Sequence, residues 1–295
     1  MKRDQRRSAA AAVLVLVLGL SLALGAAAQN RRPVKSAPPL IADRRLIVAT
    51  AAGSGELPLY LSADWDRPEP AITRAILAIH GVLRDADTSR TIAEAVRAAS
   101  GVDPQSVLLV EPQFLDDRDV ADEPLPPQTL HWSHTGWEDG EDAHGPAPIS
   151  SFAALDAILT RLADRAAFPA LKTIVVAGHS GGGQLAQRYA VAARDEALAK
   201  AGILVRYVVA SPSSYVYFSP DRPAGAGFAP FDAAACPAYD RWKYGLSGAP
   251  PYLAGRAAGA LEEAYAGRDV IYLLALLWHI FEGPGVFWIP GTRFA

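Results

Sequence analysis

The chain has 295 residues, 51% of them hydrophobic and 20% charged, with 28 Lys and Arg against 31 Asp and Glu. That balance excludes a disordered chain, which is poor in apolar residues and rich in charge. The single cysteine, Cys236, excludes a disulfide scaffold, and a net charge of −3 offers no basic field to nucleic acid.

Residues 1–28 read as a secretory signal: Lys2, Arg3, Arg6 and Arg7 precede an apolar core from Val13 to Leu24, and Ala26, Ala27 and Ala28 suit a cleavage site. Without them the chain keeps 24 basic and 30 acidic groups, which fits an exported protein with no integral membrane segment. The alternative is a membrane tether, since Ala9–Ala28 is long enough to span a bilayer if uncleaved. Residues 29–45 read as a proline- and arginine-containing linker, and residues 46–295 as one domain.

Within that domain, Leu46–Thr50 and Leu57–Ala63 are predicted strands around Gly53-Ser54-Gly55. Ala75–Ile79 is a continuous apolar run, the pattern of a strand buried on both faces. Thr88–Ala99 has helical spacing, with Ile92, Ala95, Val96 and Ala99 on one side. Ser106–Val110 is a second buried strand. Residues 111–149 are polar, aromatic and aperiodic, a long loop or insertion. A helix capped by Ser150 or Ser151 runs to about Ala166, Thr173–Ala177 is a third buried strand, and Gln184–Leu198 is a helix. Ile203–Ala210 is a fourth strand, 212–251 is rich in Pro, Gly and Ala, 251–266 is helical in part, and a fifth strand opens at Val270. Strands alternating with helices predict an α/β fold with a mostly parallel sheet covered on both faces.

The segment that carries chemistry is Thr173-Ile174-Val175-Val176-Ala177-Gly178-His179-Ser180-Gly181-Gly182-Gly183-Gln184. An apolar strand enters Gly-His-Ser-Gly-Gly and a helix leaves it, the pattern of a nucleophile elbow. A serine on so sharp a turn needs neighbours without bulk, and Gly178 and Gly182 supply them. A bare Gly-x-Ser-x-Gly occurs by chance, so the flanking strand and helix give the motif its weight. Ser180 is the candidate nucleophile. A second turn, Ile79-His80-Gly81-Val82, follows a buried strand directly. The amides of Gly181 and of Gly81 or Val82 are the candidate oxyanion donors. His80 itself reads better as a hydrogen-bonded structural residue than as a substrate contact.

On these two motifs the sequence resembles the α/β-hydrolase superfamily over roughly residues 46–275, most closely exported bacterial serine hydrolases with a His-Gly oxyanion loop. The resemblance implies a Ser–His–Asp/Glu triad, no cofactor, and a small-molecule ester or acyl substrate. It leaves the choice among peptidase, lipase and esterase open.

The tail departs from that pattern. Family order places the acid and then the histidine after the serine, and of six histidines only His279 follows Ser180. His279 lies in an overlong apolar run, and residues 275–295 are too few for the remaining acid loop, helix, strand and base. Either the fold's last strand and helix are missing and the triad is incomplete, or His279 is a displaced base oriented by Asp221 or Glu282. The competing functional reading is therefore an inactive or ligand-binding member of the same fold. Cys236 is either a thiol whose partner lay in a lost tail or a buried free thiol.

Other candidates are weaker. His131, His134 and His144, with nearby acids, match no metal-ligand spacing, so no metal is expected. Trp132 and Trp137 either line a substrate pocket or pack the loop down. His179 and Tyr215 are candidate substrate-facing residues, since strand C-terminal ends face the crevice in open α/β sheets. Tyr239–Gly245 reads as a surface segment.

Overall fold

The computed structural model describes residues 38–273. A seven-stranded sheet organises them. Strands β1 (Arg44–Thr50) and β2 (Gly53–Leu61) form the expected antiparallel hairpin at one edge. Then come β3 (Arg74–Ile79), helix α1 (Ala86–Ala99) and β4 (Val107–Pro112). Four short elements follow: β5 (Leu115–Asp116), α2 (Asp117–Asp122), β6 (His131–Trp132) and α3 (Gly136–Asp139). Helix α4 (Ser151–Leu162), strand β7 (Thr173–His179) and helix α5 (Gly181–Ala192) form the centre. The remainder is α6 (Glu196–Lys200), β8 (Leu204–Ala210), a hairpin of β9 (Asp221–Ala224) with β10 (Gly227–Pro230), α7 (Ala258–Ala266) and β11 (Asp269–Leu273).

The strand order is β1-β2-β4-β3-β7-β8-β11. From β4 onward every neighbour is parallel. The register pairs Ile76 with Val175 and Val175 with Arg206, so alternation puts Ala75, Leu77, Ile79, Ile174, Val176, Tyr207 and Val209 on one face. These are buried, in one core with Phe152, Leu155, Ile158 and Leu162 of α4 and Leu185 and Tyr189 of α5. On the other face Ile76, Ala78, Val175, Ala177 and Val208 are only half-buried among the described residues. Two partly buried polar links tie the layers. Asp156 of α4 accepts from the hydroxyls of Tyr189 (2.7 Å) and Tyr252 (2.6 Å). Arg268, just before β11, donates to Asp195 and to the α5 carbonyl of Ala190 and to that of Ala193, at the helix C-terminus.

Several sequence expectations shift. Helix α1 starts earlier, at Ala86, because Asp85 caps it by accepting from the Thr88 amide. Its apolar face is not the expected one: Ile92 is exposed, and the helix leans on the sheet through Arg90, stacked over Tyr60, and Arg97, which donates to Val107. Long arginine stems cover apolar surface while their heads find acceptors. The expected helix 184–198 begins at Gly181 and is split, since Ala193 takes extended geometry (φ −50°, ψ 152°) between α5 and α6. The segment 111–149, expected as a long loop or insertion, is anchored inward: Phe114, Leu130, Trp132 and Trp137 are fully buried in the main core, and Leu115 is fully buried as well. Cys236 is exposed and free, against the buried-thiol alternative.

Candidate active site

At the carboxyl end of β7 the backbone of Ser180 sits at φ 57°, ψ −119°. A non-glycine residue there carries roughly 1–3 kcal/mol of strain and persists only where its surroundings enforce it. The surroundings are backbone. The Ser180 amide donates to the Ala210 carbonyl (3.0 Å), and its carbonyl accepts from the Gln184 amide (2.9 Å). A methyl group at Gly178 would stand 2.1 Å from the Gly182 carbonyl oxygen, and one at Gly182 would stand 2.4 Å from that of Ile79 and 2.5 Å from that of His80. The ends of β3 and β7 thus meet the first turn of α5 with no room for a Cβ. Ser180 is left partly exposed at the sheet's end, over a helix N-terminus whose amides favour negative charge.

The second turn lies beside it. A methyl at Gly81 would be 3.9 Å from the Ser180 Cβ, and one at Gly181 would be 3.0 Å from the Val82 nitrogen. The turn is closed by the Arg84 amide donating to the Gly81 carbonyl (3.0 Å), with Arg84 at φ 57°. The fully buried Arg84 guanidinium grips Asp119 of α2 at 2.6 and 2.9 Å and donates to the Val82 carbonyl at 3.2 Å. The segment after β4 is therefore the outer support of the turn at Gly81 and Val82. His80 supports it from within. Its Nε2 accepts from the Phe114 amide (2.9 Å), which leaves Nδ1–H to donate to the Gly81 carbonyl (2.8 Å). The ring packs against both Phe114 and Trp137, at 6.0 and 4.7 Å between ring centres, and burial pushes its pKa down to about 4, so it stays neutral.

Under the elbow lies a buried polar network that the sequence did not reveal. Gln184 Nε2 donates to Glu138 Oε2 (2.8 Å), and Arg188 donates to the Glu138 carbonyl (2.9 Å), to Gln184 Oε1 (2.9 Å) and to Ser214 (2.6 Å). Arg188 also pairs with Asp139 at 2.9 Å. Burial pushes the Glu138 carboxyl up to about 7, against the opposing pull of Arg188. Glu138 stands in an aperiodic stretch, and no spacing rule marks it. The one available signal was glycine at 181, a position the elbow pattern leaves free.

No protein-family model matches the sequence, and a search of curated proteins found no match. Solved structures do resemble it. LpqC, a poly(3-hydroxybutyrate) depolymerase from Bordetella parapertussis, aligns at 18% identity and TM-score 0.47 over 79% of this chain and 66% of that one. Poly(aspartic acid) hydrolase-1 from Sphingomonas sp. KT-1 aligns at 19% identity and TM-score 0.46, over 81% and 72%. The chain thus spans about two thirds of the first and somewhat more of the second. Strand order and the strand–serine–helix turn make this an α/β-hydrolase fold.

The other expected site residues divide. The structure brings Ser180, Gly181, Gly81 and Val82 together. His179 is exposed beside Ser180. Trp132 and Trp137 are fully buried against Phe114, the first edge-on and the second stacked, which corrects the substrate-pocket alternative in favour of loop packing. His80, 1% exposed, is likewise interior. Tyr215 is half-buried against Tyr272 of β11. Asp221 lies in the β9–β10 hairpin. His131 and His144 both contact Asp117, and His134 contacts Asp116. Among the described residues no group of three or more such side chains is arranged to hold a metal. None of the described helices is long and apolar enough to cross a membrane. His279 and Glu282 lie outside the described residues.

Proposed function

We propose that the chain is an exported serine hydrolase of ester bonds, acting by acyl transfer through an acyl-enzyme. Ser180 Oγ attacks the substrate carbonyl carbon, its proton passes to a general base, and the forming oxyanion is held by the amides of Gly181 and Val82. The leaving alcohol takes the proton from the base, and water then releases the acid by the same route. One observation carries the reading: the enforced φ of 57° at Ser180 beside the turn at Gly81. Each amide donor is worth about 2.7–4 kcal/mol in the transition state. By the chain order of this fold the base follows the nucleophile, and His279 is the one histidine that does.

Labelling by a fluorophosphonate probe tests this. Wild-type chain is expected to label, Ser180→Ala to lose all labelling, and His279→Ala to slow it by about 10⁶. Strong labelling of Ser180→Ala would overturn the assignment. A wild-type chain that labels no faster than Ser180→Ala is the ligand-binding form of the fold, not the enzyme.

A further inference from the structure

The elbow pattern leaves the residue after the nucleophile free, yet here it is glycine, and the reason is a carboxyl group. A Cβ at Gly181 would lie 2.6 Å from Glu138 Oε1 and 3.2 Å from Glu138 Cδ, with the Val82 nitrogen 3.0 Å away on the same point. Glu138 is 2% exposed. Its Oε2 is held by Gln184, one turn further along α5, and its carbonyl by Arg188. The carboxyl is therefore a wedge, fixed from behind, that fills the space where Gly181 and Val82 come together. A long buried acid is an expensive way to fill space, and its placement at the anion-stabilising end of α5 gives it an electrostatic consequence.

We propose that Glu138 is a positioning residue for the oxyanion hole: its carboxyl sets the spacing of the Val82 and Gly181 amides and couples its own charge to theirs. The proposal rests on the hydrolase reading for its catalytic meaning, though not for its structural content. The charged groups facing Glu138 are Arg188 from α5, Asp139 beside it in α3, and Lys243 from the loop after β10. Burial outweighs the two cations, and the group stays protonated to about pH 7. Protonated, it is a neutral wedge. Ionised, it sets a negative charge next to the place where the substrate oxygen becomes negative, and it opposes turnover. Activity should then fall as pH rises through about 7 and level off once the carboxyl is ionised, on kcat and not on KM, because the oxyanion forms only in the transition state.

The test needs no turnover to be decisive. Amide resonances of Gly181 and Val82 are followed by NMR from pH 5.5 to 8.5 in wild type, Glu138→Gln and Glu138→Asp. Both resonances are expected to titrate together near pH 7 in wild type. They should stay still in Glu138→Gln, and move less in Glu138→Asp, whose carboxyl is withdrawn by one methylene. Amides that do not titrate in wild type, or that titrate equally in Glu138→Gln, overturn the proposal. Hydrolysis of p-nitrophenyl butyrate adds the catalytic arm: whatever its rate at pH 6, Glu138→Gln should lose the alkaline fall in kcat that wild type shows. A Glu138→Gln enzyme with an unchanged alkaline fall also overturns it. Ser180→Ala that hydrolyses as fast as wild type would instead sink the hydrolase reading, whatever the two amides do.

Discussion

At the scale of single residues, the elbow is decided by sterics and the core by desolvation. Gly182→Ala would drive a methyl into two carbonyl oxygens at 2.4 and 2.5 Å, both belonging to backbone that cannot swing away. We expect a loss of about 2–3 kcal/mol and loss of fluorophosphonate labelling. Gly227→Ala meets nothing within 4 Å and should stay within about 0.5 kcal/mol; urea unfolding of the pair checks both. Glu111 is the opposite case. It lies on β4, fully buried, with neither carboxyl oxygen hydrogen-bonded. Burial first, and Glu94 second, push its pKa up to about 8 from 4.5. Between those values the folded chain holds a proton that the unfolded chain has released. Stability is therefore full below about pH 4.5 and declines as pH rises toward 8. Glu111→Met should flatten that decline and stabilise the protein at pH 8 by about 1–3 kcal/mol, read from urea midpoints at pH 5, 6.5 and 8. An unchanged slope would show that the carboxyl finds a partner in solution. Of these residues, 178–183 were legible because a glycine-flanked serine after an apolar strand has few other uses. Glu111 and Glu138 were not, because a glutamate in sequence carries no mark of the burial that tertiary packing imposes on it.

At the scale of elements, the segment between β4 and α4 holds the turn at Gly81 and Val82 in place. Its key is the buried pair of Arg84 with Asp119, reinforced by Asp116 at 3.4 Å from the guanidinium. Helix α2 presents Asp119 because Asp116 and Asp119 form a reciprocal capping box, each accepting from the other's backbone amide. Asp119→Asn leaves a buried guanidinium short of a counter-charge, so a cost of about 3–5 kcal/mol is expected. An Arg84→Met, Asp119→Leu double variant should recover much of that stability. It should not recover activity, because the Val82 carbonyl loses its donor. Denaturant midpoints and probe labelling rates, compared across the set, separate the two effects. The parallel strands and α4 were readable from apolar runs and a serine cap. This segment was not, since elements of two to six residues are too short to display a period, and its aromatic anchors look the same whether they face solvent or core.

For the molecule as a whole, alternation of strands and helices gave the parallel sheet correctly, because crossover connections leave few ways to order such strands. The β9–β10 hairpin was missed because its two four-residue strands, Asp-Arg-Pro-Ala and Gly-Phe-Ala-Pro, are too short and too proline-rich to show an alternating apolar face. Helix α5 carries a consequence of another kind. All twelve of its residues are buried, so no side of it meets solvent and no partial loosening exposes it. Beyond its first turn, its hydrogen-bonded amides should exchange with deuterium only when the entire domain opens, and far more slowly than those of the exposed β9–β10 hairpin. The serine thus stands on the part of the protein that breathes least. A small molecule reaching it must fit the site as it stands, without waiting for a local fluctuation to make room.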